Sequence, residues 1–355
     1  MKIAQIAPLW YAIPPEKYGG IERIVHFLTE GLVKKGHEVT LFASGDSKTK
    51  AKLCSVRKNH LAKDKIPWTD VFWELENLSF AFKKAKDFDI IHCHVGLRAL
   101  FFQEFSKTPT IHTFHNPVIG EKRKLPPSLQ ILKLHKKTTR ACFISKAAKK
   151  LCPIKLKSHV VYNGIDLEPF PFNPNPKNYF LWAGRMDPYK GVENAMKAAK
   201  ETGAELYLAG KIDEKQKHYF KTRIKPNLTN KIKYLGELHQ QELSKLYQGA
   251  KAFLYPIEWE EPFGLVMVES MACGTPVIAF EKGSVKELIK NGQNGFSVPF
   301  LNKKGEKNIQ GLKQTMKKIE TINRENCRKW VEDNFTVEKM VENYEKIYKQ
   351  ISFCR

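Results

Sequence analysis

The sequence predicts an α/β chain built from two parallel-sheet domains, and three observations carry that reading. Short β-rich apolar runs alternate with amphipathic stretches, and strand–helix–strand alternation means parallel strands joined by right-handed crossovers and covered on both faces. The length, 355 residues, is more than one ordinary core fills and suits two domains of comparable size. At 166–178 the pattern breaks in DLEPFPFNPNPKN, whose four Pro and three Asn remove donors, fix φ and mark the boundary.

The first domain, 1–165, opens on the strand KIAQIAPL. GGIERIVHFLTEGLVKKG follows as a helix, with Ile21, Ile24, Val25, Leu28 and Leu32 on one face and Gly36 just past its end as a C-cap. HEVTLFAS, DIIHCHV, PTIHTFHN, ACFIS and HVVYNGI are the further β-rich runs. In the second domain, 166–336, strands fall at YFLWAG, AELYLAG, KIKYLG, AKAFLYP, TPVIAF and GFSV. Its helices are GVENAMKAAKETG, ending on Gly203, then QQELSKLYQGA, PFGLVMVESMACG and GSVKELIKNG. LKQTMKKIE and TVEKMVENYEKIYKQI close the chain as helices. No internal repeat of about 20–50 residues is present, which excludes a solenoid.

Composition bounds the class. Apolar residues at 42% and aromatics at 11% supply real cores and exclude global disorder. No window approaches about 18 uninterrupted apolar residues, so no transmembrane helix is predicted. MKIAQIAPLW has one Lys and an apolar run cut off at Pro8, and reads as a strand rather than a signal peptide. The seven Cys (54, 93, 142, 152, 273, 327, 354) form no C-x-x-C pair, which points to reduced thiols in a cytoplasmic protein and away from a zinc site or disulfide framework. Cys142 and Cys152 read as buried small side chains.

The formal net charge is +23. Such a surface attracts nucleic acid, anionic lipid headgroups or phosphorylated substrates, or it is simply Lys decorating solvated helix faces. Lys is spread along the chain and outnumbers Arg, against a sequence-specific nucleic-acid reader, where Arg and aromatics would cluster. LPPSLQILKLHKK at 125–137 mixes apolar and basic residues, as an interfacial helix at an anionic membrane or as a helix covering the sheet.

Three constellations could carry chemistry. In E-E-P-F-G-L-V-M-V-E at 260–269, Pro262 suits the first turn of a helix. Gly264 lets a backbone approach, and Leu265 and Val266 offer amides at the helix start. Amides and dipole together make an anion site suited to a diphosphate, and Glu261 and Glu269 bracket it as acceptors for sugar and ribose hydroxyls. The alternative is a buried helix with capping carboxylates. In A-G-R-M-D-P-Y-K-G at 183–191, Arg185 and Lys190 follow a strand at the carboxyl edge of the sheet, where open α/β folds bind ligands. They could neutralise a leaving diphosphate or be a solvated cationic loop. Gly19 and Gly20 lie between the first strand and its helix, but the longer loop from Tyr11 to Tyr18 means no dinucleotide fingerprint is present.

Histidines gather at His92, His94, His112 and His115. Alternate strand residues share a face and residues three apart do not, and no acidic cluster completes a ligand set, so metal binding is not predicted. His115, at a strand's carboxyl end, is the better candidate for a polar contact to a sugar, and His92 reads as a core histidine.

On these residues the chain resembles the retaining glycosyltransferases of family 4, of the GT-B fold. The likeness runs from YGGIERIVHFLTEGLVKKGHEVTLFASGDS to EWEEPFGLVMVESMACGTPVIAFEKGSVKELIKNGQNGF. It is closest to the branch that includes a sugar transferase of avilamycin biosynthesis. The motifs are E-x7-E at Glu261 and Glu269, G-R-x-x-x-x-K-G ending at Gly191, N-G-I-D at 163–166 and the N-terminal Gly-Gly. The resemblance implies two Rossmann-like domains facing a central cleft, with the C-terminal helix (337–355) packing back on the first. It implies that Arg185, Lys190 and the Leu265 and Val266 amides hold a UDP- or GDP-linked donor's diphosphate, without cofactor or metal. Glu269 would bind the ribose, Glu261 the sugar, and His115 would contact the sugar near its reacting centre. Gly19, Gly20, Gly184, Phe263 and Gly264 complete the donor-binding set.

The implied partners are the nucleotide sugar and a carbohydrate or lipid-linked glycan acceptor, with no nucleic acid. The implied location is the cytoplasm, with a peripheral membrane contact as the second reading of the basic surface. One departure is T-F-H-N-P, where the branch more often has Gly after the histidine and this chain has Asn116. The competing classes are a GT-B epimerase, which needs no acceptor, a glycan phosphorylase, which needs phosphate, and a basic nucleic-acid binder, whose affinity would fall steeply with salt.

Overall fold

A computed structural model describes residues 1–16, 19–119 and 125–352; Tyr18 and Cys354, both singled out above, lie outside the described residues. The chain divides into two compact units, Met1–Gly164 with Val337–Arg355, and Ile165–Thr336.

Unit 1 holds seven strands: β1 (Lys2–Ile6), β2 (Glu38–Phe42), β3 (Lys52–Cys54), β4 (Ile90–Cys93), β5 (Thr110–Phe114), β6 (Arg140–Phe143) and β7 (Lys157–Val160). Their order is β3-β2-β1-β4-β5-β6-β7, and every pair is parallel. Both faces are covered, so β4 and β5 are buried at every position and read as continuous runs rather than alternations. The helices are α1 (Gly20–Lys34), α2 (Phe72–Lys83), α3 (Leu100–Gln103), α4 (Pro127–Leu134) and α5 (Lys146–Leu151). α1 buries Ile24, Val25, Leu28 and Leu32, while Ile21 is half-buried. Gly36, at φ 83°, follows the helix end as expected of a left-handed cap. α4 packs Leu129 and Leu132 against Phe114 and Phe143 and so covers the sheet, while Leu134 faces solvent.

Unit 2 holds β8 (Phe180–Ala183), β9 (Leu206–Ala209), β10 (Ile232–Tyr234), β11 (Ala252–Tyr255), β12 (Val277–Phe280) and β13 (Gly295–Val298). They are ordered β10-β9-β8-β11-β12-β13, again all parallel. Its helices are α6 (Val192–Thr202), α7 (Lys217–Tyr219), α8 (Gln240–Gly249), α9 (Leu265–Ala272), α10 (Val285–Leu288), α11 (Ile309–Lys318) and α12 (Arg324–Asn334). Fully buried Trp182 and Phe253 sit in its core.

The last helix, α13 (Val337–Ser352), belongs to unit 1. It buries Met340, Val341, Tyr344, Ile347, Tyr348 and Ile351, a stripe of helical spacing that needs another surface to cover it. α1 supplies part of that surface: a Cβ on Gly31 would come within 2.4 Å of Val341 Cγ2. Among the described residues no helix is long and apolar enough to cross a membrane. The six described cysteines are free thiols, and Cys152 is half-buried rather than buried.

Three of the elements named from the sequence differ in extent. HVVYNGI is strand only up to Val160, GSVKELIKNG is helical only over Val285–Leu288, and Pro262 lies outside its helix. α9 starts at Leu265 with Gly264 as N-cap at φ 87°. The positive φ breaks the helical path before Pro262, so the left-handed glycine, not the proline, sets the start.

Candidate active site

The chain leaves β8 for β9 and β10 on one side and returns to β11 on the other. The carboxyl ends of β8 and β11 therefore form a topological switch point, where open α/β sheets bind ligands. Gly184, Arg185 and Lys190 follow β8, and Glu261, Phe263 and Gly264 follow β11. Two loops distant in sequence thus meet at one edge.

Their meeting point is the Glu261 carboxylate. Glu261 is buried, and its Oε2 accepts from Lys190 Nζ at 2.7 Å, Trp259 Nε1 at 3.1 Å and the Tyr255 hydroxyl at 3.2 Å. The Lys190 ammonium also lies 4.7 Å from the Trp259 ring centre and 5.9 Å from that of Tyr255, within cation–π reach. Sequence reasoning gave Lys190 and Glu261 separate roles, whereas the structure pairs them directly. It also missed Tyr255 and Trp259; Trp259, two residues before Glu261, was the visible cue.

The backbone under Glu261 is tied down by the loop before α10. Gly283 N–H donates to Glu260 Oε2 at 2.7 Å, Ser284 N–H to the Glu261 carbonyl at 2.9 Å, and Ser284 Oγ to the Phe263 carbonyl at 2.6 Å. A Cβ on Gly283 would fall 2.1 Å from the Glu261 oxygen, so this approach needs glycine.

Arg185 is partly exposed and lies 3.6 Å from Asp213, beside Lys211 at 3.2 Å from the same carboxylate. At the start of α9, Leu265 and Val266 are half-buried, and the helix itself offers no acceptor to its first amides. Glu269 is buried one turn in, with the Tyr247 hydroxyl 3.5 Å from its Oε2. The Lys190–Glu261 pair joins the loop after β8 to the loop that leads into α9, and Arg185 follows the same strand end as Lys190.

In unit 1, Gly19 is the N-cap of α1 and Gly20 its first residue. Glu22, in that first turn, is buried, and desolvation pushes its carboxyl up to about 7. The nearby Glu74 adds to the rise, although Glu74 is itself paired with Arg98. No sequence cue flagged Glu22 beyond its place in the Gly-Gly stretch.

His115 follows β5 and bonds His94, which follows β4, through Nε2 to Nδ1 at 2.9 Å. His92 and His94 share a face, with ring centres 4.0 Å apart, as alternate strand residues should. Burial pushes His115 down to about 4 and His112 to about 3, and holds His92 and His94 well below the ordinary imidazole range. All four are neutral at pH 7. Both nitrogens of His92 and of His94 bond protein groups, and among the described residues no three His, Cys, Asp or Glu side chains are grouped to hold a metal.

Known proteins carry the same frame. The model of Glycosyltransferase Family 4 matches residues 18–169, and that of Glycosyl transferases group 1 matches 166–337. An uncharacterized glycosyltransferase of Methanocaldococcus jannaschii is 26% identical over 338 residues, covering 84% of this chain and 85% of its own. The structure of a glycosyltransferase involved in avilamycin A biosynthesis superposes with a TM-score of 0.73 at 20% identity, covering 100% of this chain and 98% of that one. The Anabaena protein HepE, solved in complex with UDP and glucose, gives 0.75 at 17% identity, covering 99% of this chain and 100% of its own. With two glycosyltransferase models laid end to end over 18–337 and matching folds along the whole length, the chain belongs to the GT-B glycosyltransferases of the family 4 kind.

Proposed function

We propose that this enzyme moves a sugar from a nucleoside-diphosphate donor to an acceptor hydroxyl with retention of configuration and without a metal ion. The observation that carries the reading is the Lys190–Glu261 pair, which joins the loop after β8, Arg185 with it, to the loop that leads into α9 at the switch point of unit 2. The relative solved with UDP and glucose supports the donor class.

The α9 amides and dipole take the diphosphate, and Arg185 and Lys190 stabilise the charge that grows on it as it leaves. Lys190 has three N–H donors, so it can hold Glu261 and still reach a phosphate oxygen. Its bond and those of Trp259 and Tyr255 all fall on Glu261 Oε2, which leaves Oε1 to accept from hydroxyls of the transferred sugar. Glu269 accepts from the ribose. Gly184 and Gly264 let the protein backbone approach the donor, and the reading assigns Phe263, Gly19, Gly20 and His115 to the donor as well.

In a front-face step the bond from the anomeric carbon to the diphosphate breaks while the acceptor oxygen bonds to the same face. The acceptor proton passes to the leaving phosphate oxygen. The protein's work is then positioning and charge stabilisation. A carbohydrate or lipid-linked glycan is the acceptor class, and the +23 charge would favour an anionic or membrane-borne one.

Thermal-shift and hydrolysis assays across UDP-, GDP- and ADP-sugars test the reading. One nucleotide family should stabilise the protein in proportion to saturation, with turnover unaffected by EDTA. Arg185→Ala should lower kcat by on the order of 10²-fold or more. If no nucleotide stabilises the chain and Arg185→Ala turns over normally, the reading is wrong.

A further inference from the structure

Seven polar side chains of unit 1 form one continuous buried chain. His115 Nε2 meets His94 Nδ1 at 2.9 Å, His94 Nε2 meets Gln5 Oε1 at 2.8 Å, and Gln5 Nε2 meets the Tyr348 hydroxyl at 3.1 Å. From there the Tyr348 hydroxyl meets His92 Nδ1 at 2.6 Å, His92 Nε2 meets Thr113 Oγ1 at 2.7 Å, and Thr113 meets the Tyr344 hydroxyl at 3.0 Å. The spacing in sequence builds it: residues 92 and 94, and 113 and 115, share sheet faces, Gln5 is the register partner of His92, and Tyr344 and Tyr348 are one helical turn apart.

Donor chemistry fixes its polarity. An amide nitrogen only donates and an amide oxygen only accepts. With Gln5 Oε1 facing it, His94 must carry its proton on Nε2, and as a neutral ring it then has a bare Nδ1. The proton in the next bond therefore belongs to His115 Nε2, and His115 Nδ1 is bare. In the other direction Tyr348, accepting from Gln5, donates to His92, His92 to Thr113, and Thr113 to Tyr344. All six bonds are satisfied with every donor pointing from His115 toward α13, and the Gln5 amide, donating through Nε2 and accepting through Oε1, sets the direction of the His115 end. His115 keeps 8% exposure, while the other six are at 3% or less, so His115 is the end of the chain that a ligand can reach.

We infer that Gln5, His94 and Tyr348 are positioning residues that set the tautomer of His115, presenting its Nδ1 as an acceptor for a hydroxyl of the transferred sugar. The inference rests on the reading above that His115 meets that sugar. It gives α13 a part in the site: its two tyrosines hold the far end of the chain that orients the ring.

Long-range ¹H–¹⁵N correlations on histidine-labelled protein read the ring protons directly, with His115→Asn identifying the signal. A protonated Nε2 and bare Nδ1 on His115 support the inference; a protonated Nδ1 overturns it. Gln5→Leu should mix the two tautomers and lower kcat about tenfold with donor KM little changed. Gln5→Glu, whose carboxylate accepts from both neighbours, should keep the tautomer and most of the rate. Equal rate loss in both variants, or none in Gln5→Leu, overturns the inference. His115→Ala tests the parent reading apart from it: undiminished transfer there would remove the sugar contact, with the tautomer still settled by the spectra.

Discussion

Unit 1 and unit 2 each hold a buried polar cluster at the carboxyl end of a parallel sheet, and they solve the desolvation problem in opposite ways. In unit 1 every histidine of the cluster is neutral, and the chain from His115 to Tyr344 is held by directed hydrogen bonds alone. In unit 2 the centre is an ion pair, Lys190 on Glu261, propped by Trp259 and Tyr255. A neutral chain fixes orientation at low electrostatic cost. A buried ion pair is costly to desolvate and costlier to break, but it keeps a full charge at the switch point, where the proposed function places a diphosphate.

The largest break in that comparison comes from Glu261→Ala. It leaves the Lys190 ammonium and two other donors without their shared acceptor, so unit 2 should lose about 4 kcal/mol in chemical denaturation. Lys190→Met in the same background should recover much of it, since no lone cation is then left. An additive double variant would show that the pair is not coupled.

Glu22 supplies the contrasting case, a buried carboxyl whose partners are backbone N–H groups of Glu22 and Tyr11, with Glu74 opposing. Its folded pKa of about 7 stands above 4.5, so across that window the native state binds more protons than the unfolded chain. Stability then falls as pH rises from 4.5 toward 7, and the penalty is complete above it. Glu22→Gln removes the titration. The variant's stability relative to the parent should rise by about 3 kcal/mol between about pH 4 and about pH 8. A gap that stays constant with pH would mean that the carboxyl titrates normally.

Much of this arrangement was legible in the residues, for identifiable reasons. Parallel strands buried on both faces leave β-rich runs without polar alternation, so β1, β4, β5, β8, β11 and β12 stood out. β3, three residues at a sheet edge with none buried, has no such run. α2 carries Phe and Leu around much of its circumference, so its periodicity is weak. Pro262 misled because a proline cue and a left-handed glycine competed two residues apart. The Lys190–Glu261 pair was unreadable because residues 71 apart in sequence meet only once the switch point forms. The neutral chain had two visible signs, a lone Gln in the buried run KIAQI and two tyrosines a helical turn apart.

The neutral cluster should respond more mildly to truncation. Tyr344 is buried and its hydroxyl is hydrogen-bonded to that of Thr113. Tyr344→Phe should cost about 1 kcal/mol, the net worth of one hydrogen bond. A loss as large as that of Glu261→Ala would show that the chain is cooperative over its whole length rather than a set of separable bonds.

The smallest effect belongs to the outer edge of the same helix. Glu345 accepts from Lys349 at 2.7 Å and Lys35 at 2.9 Å, with His37 at 3.4 Å, and these hydrogen bonds and charges hold its carboxyl down to about 2. A depressed value means stability present above 4.5 and lost as pH falls from there toward 2. Both lysines are exposed, however, so solvent screens the pair and the worth of the cluster should be about 0.5 kcal/mol. Glu345→Gln should therefore lower the stability of unit 1 by that amount at neutral pH, and raising the salt to about 1 M should erase the difference. A salt-independent loss several times larger would mean that α13 is fastened by charge at its rim rather than by the neutral chain beneath it.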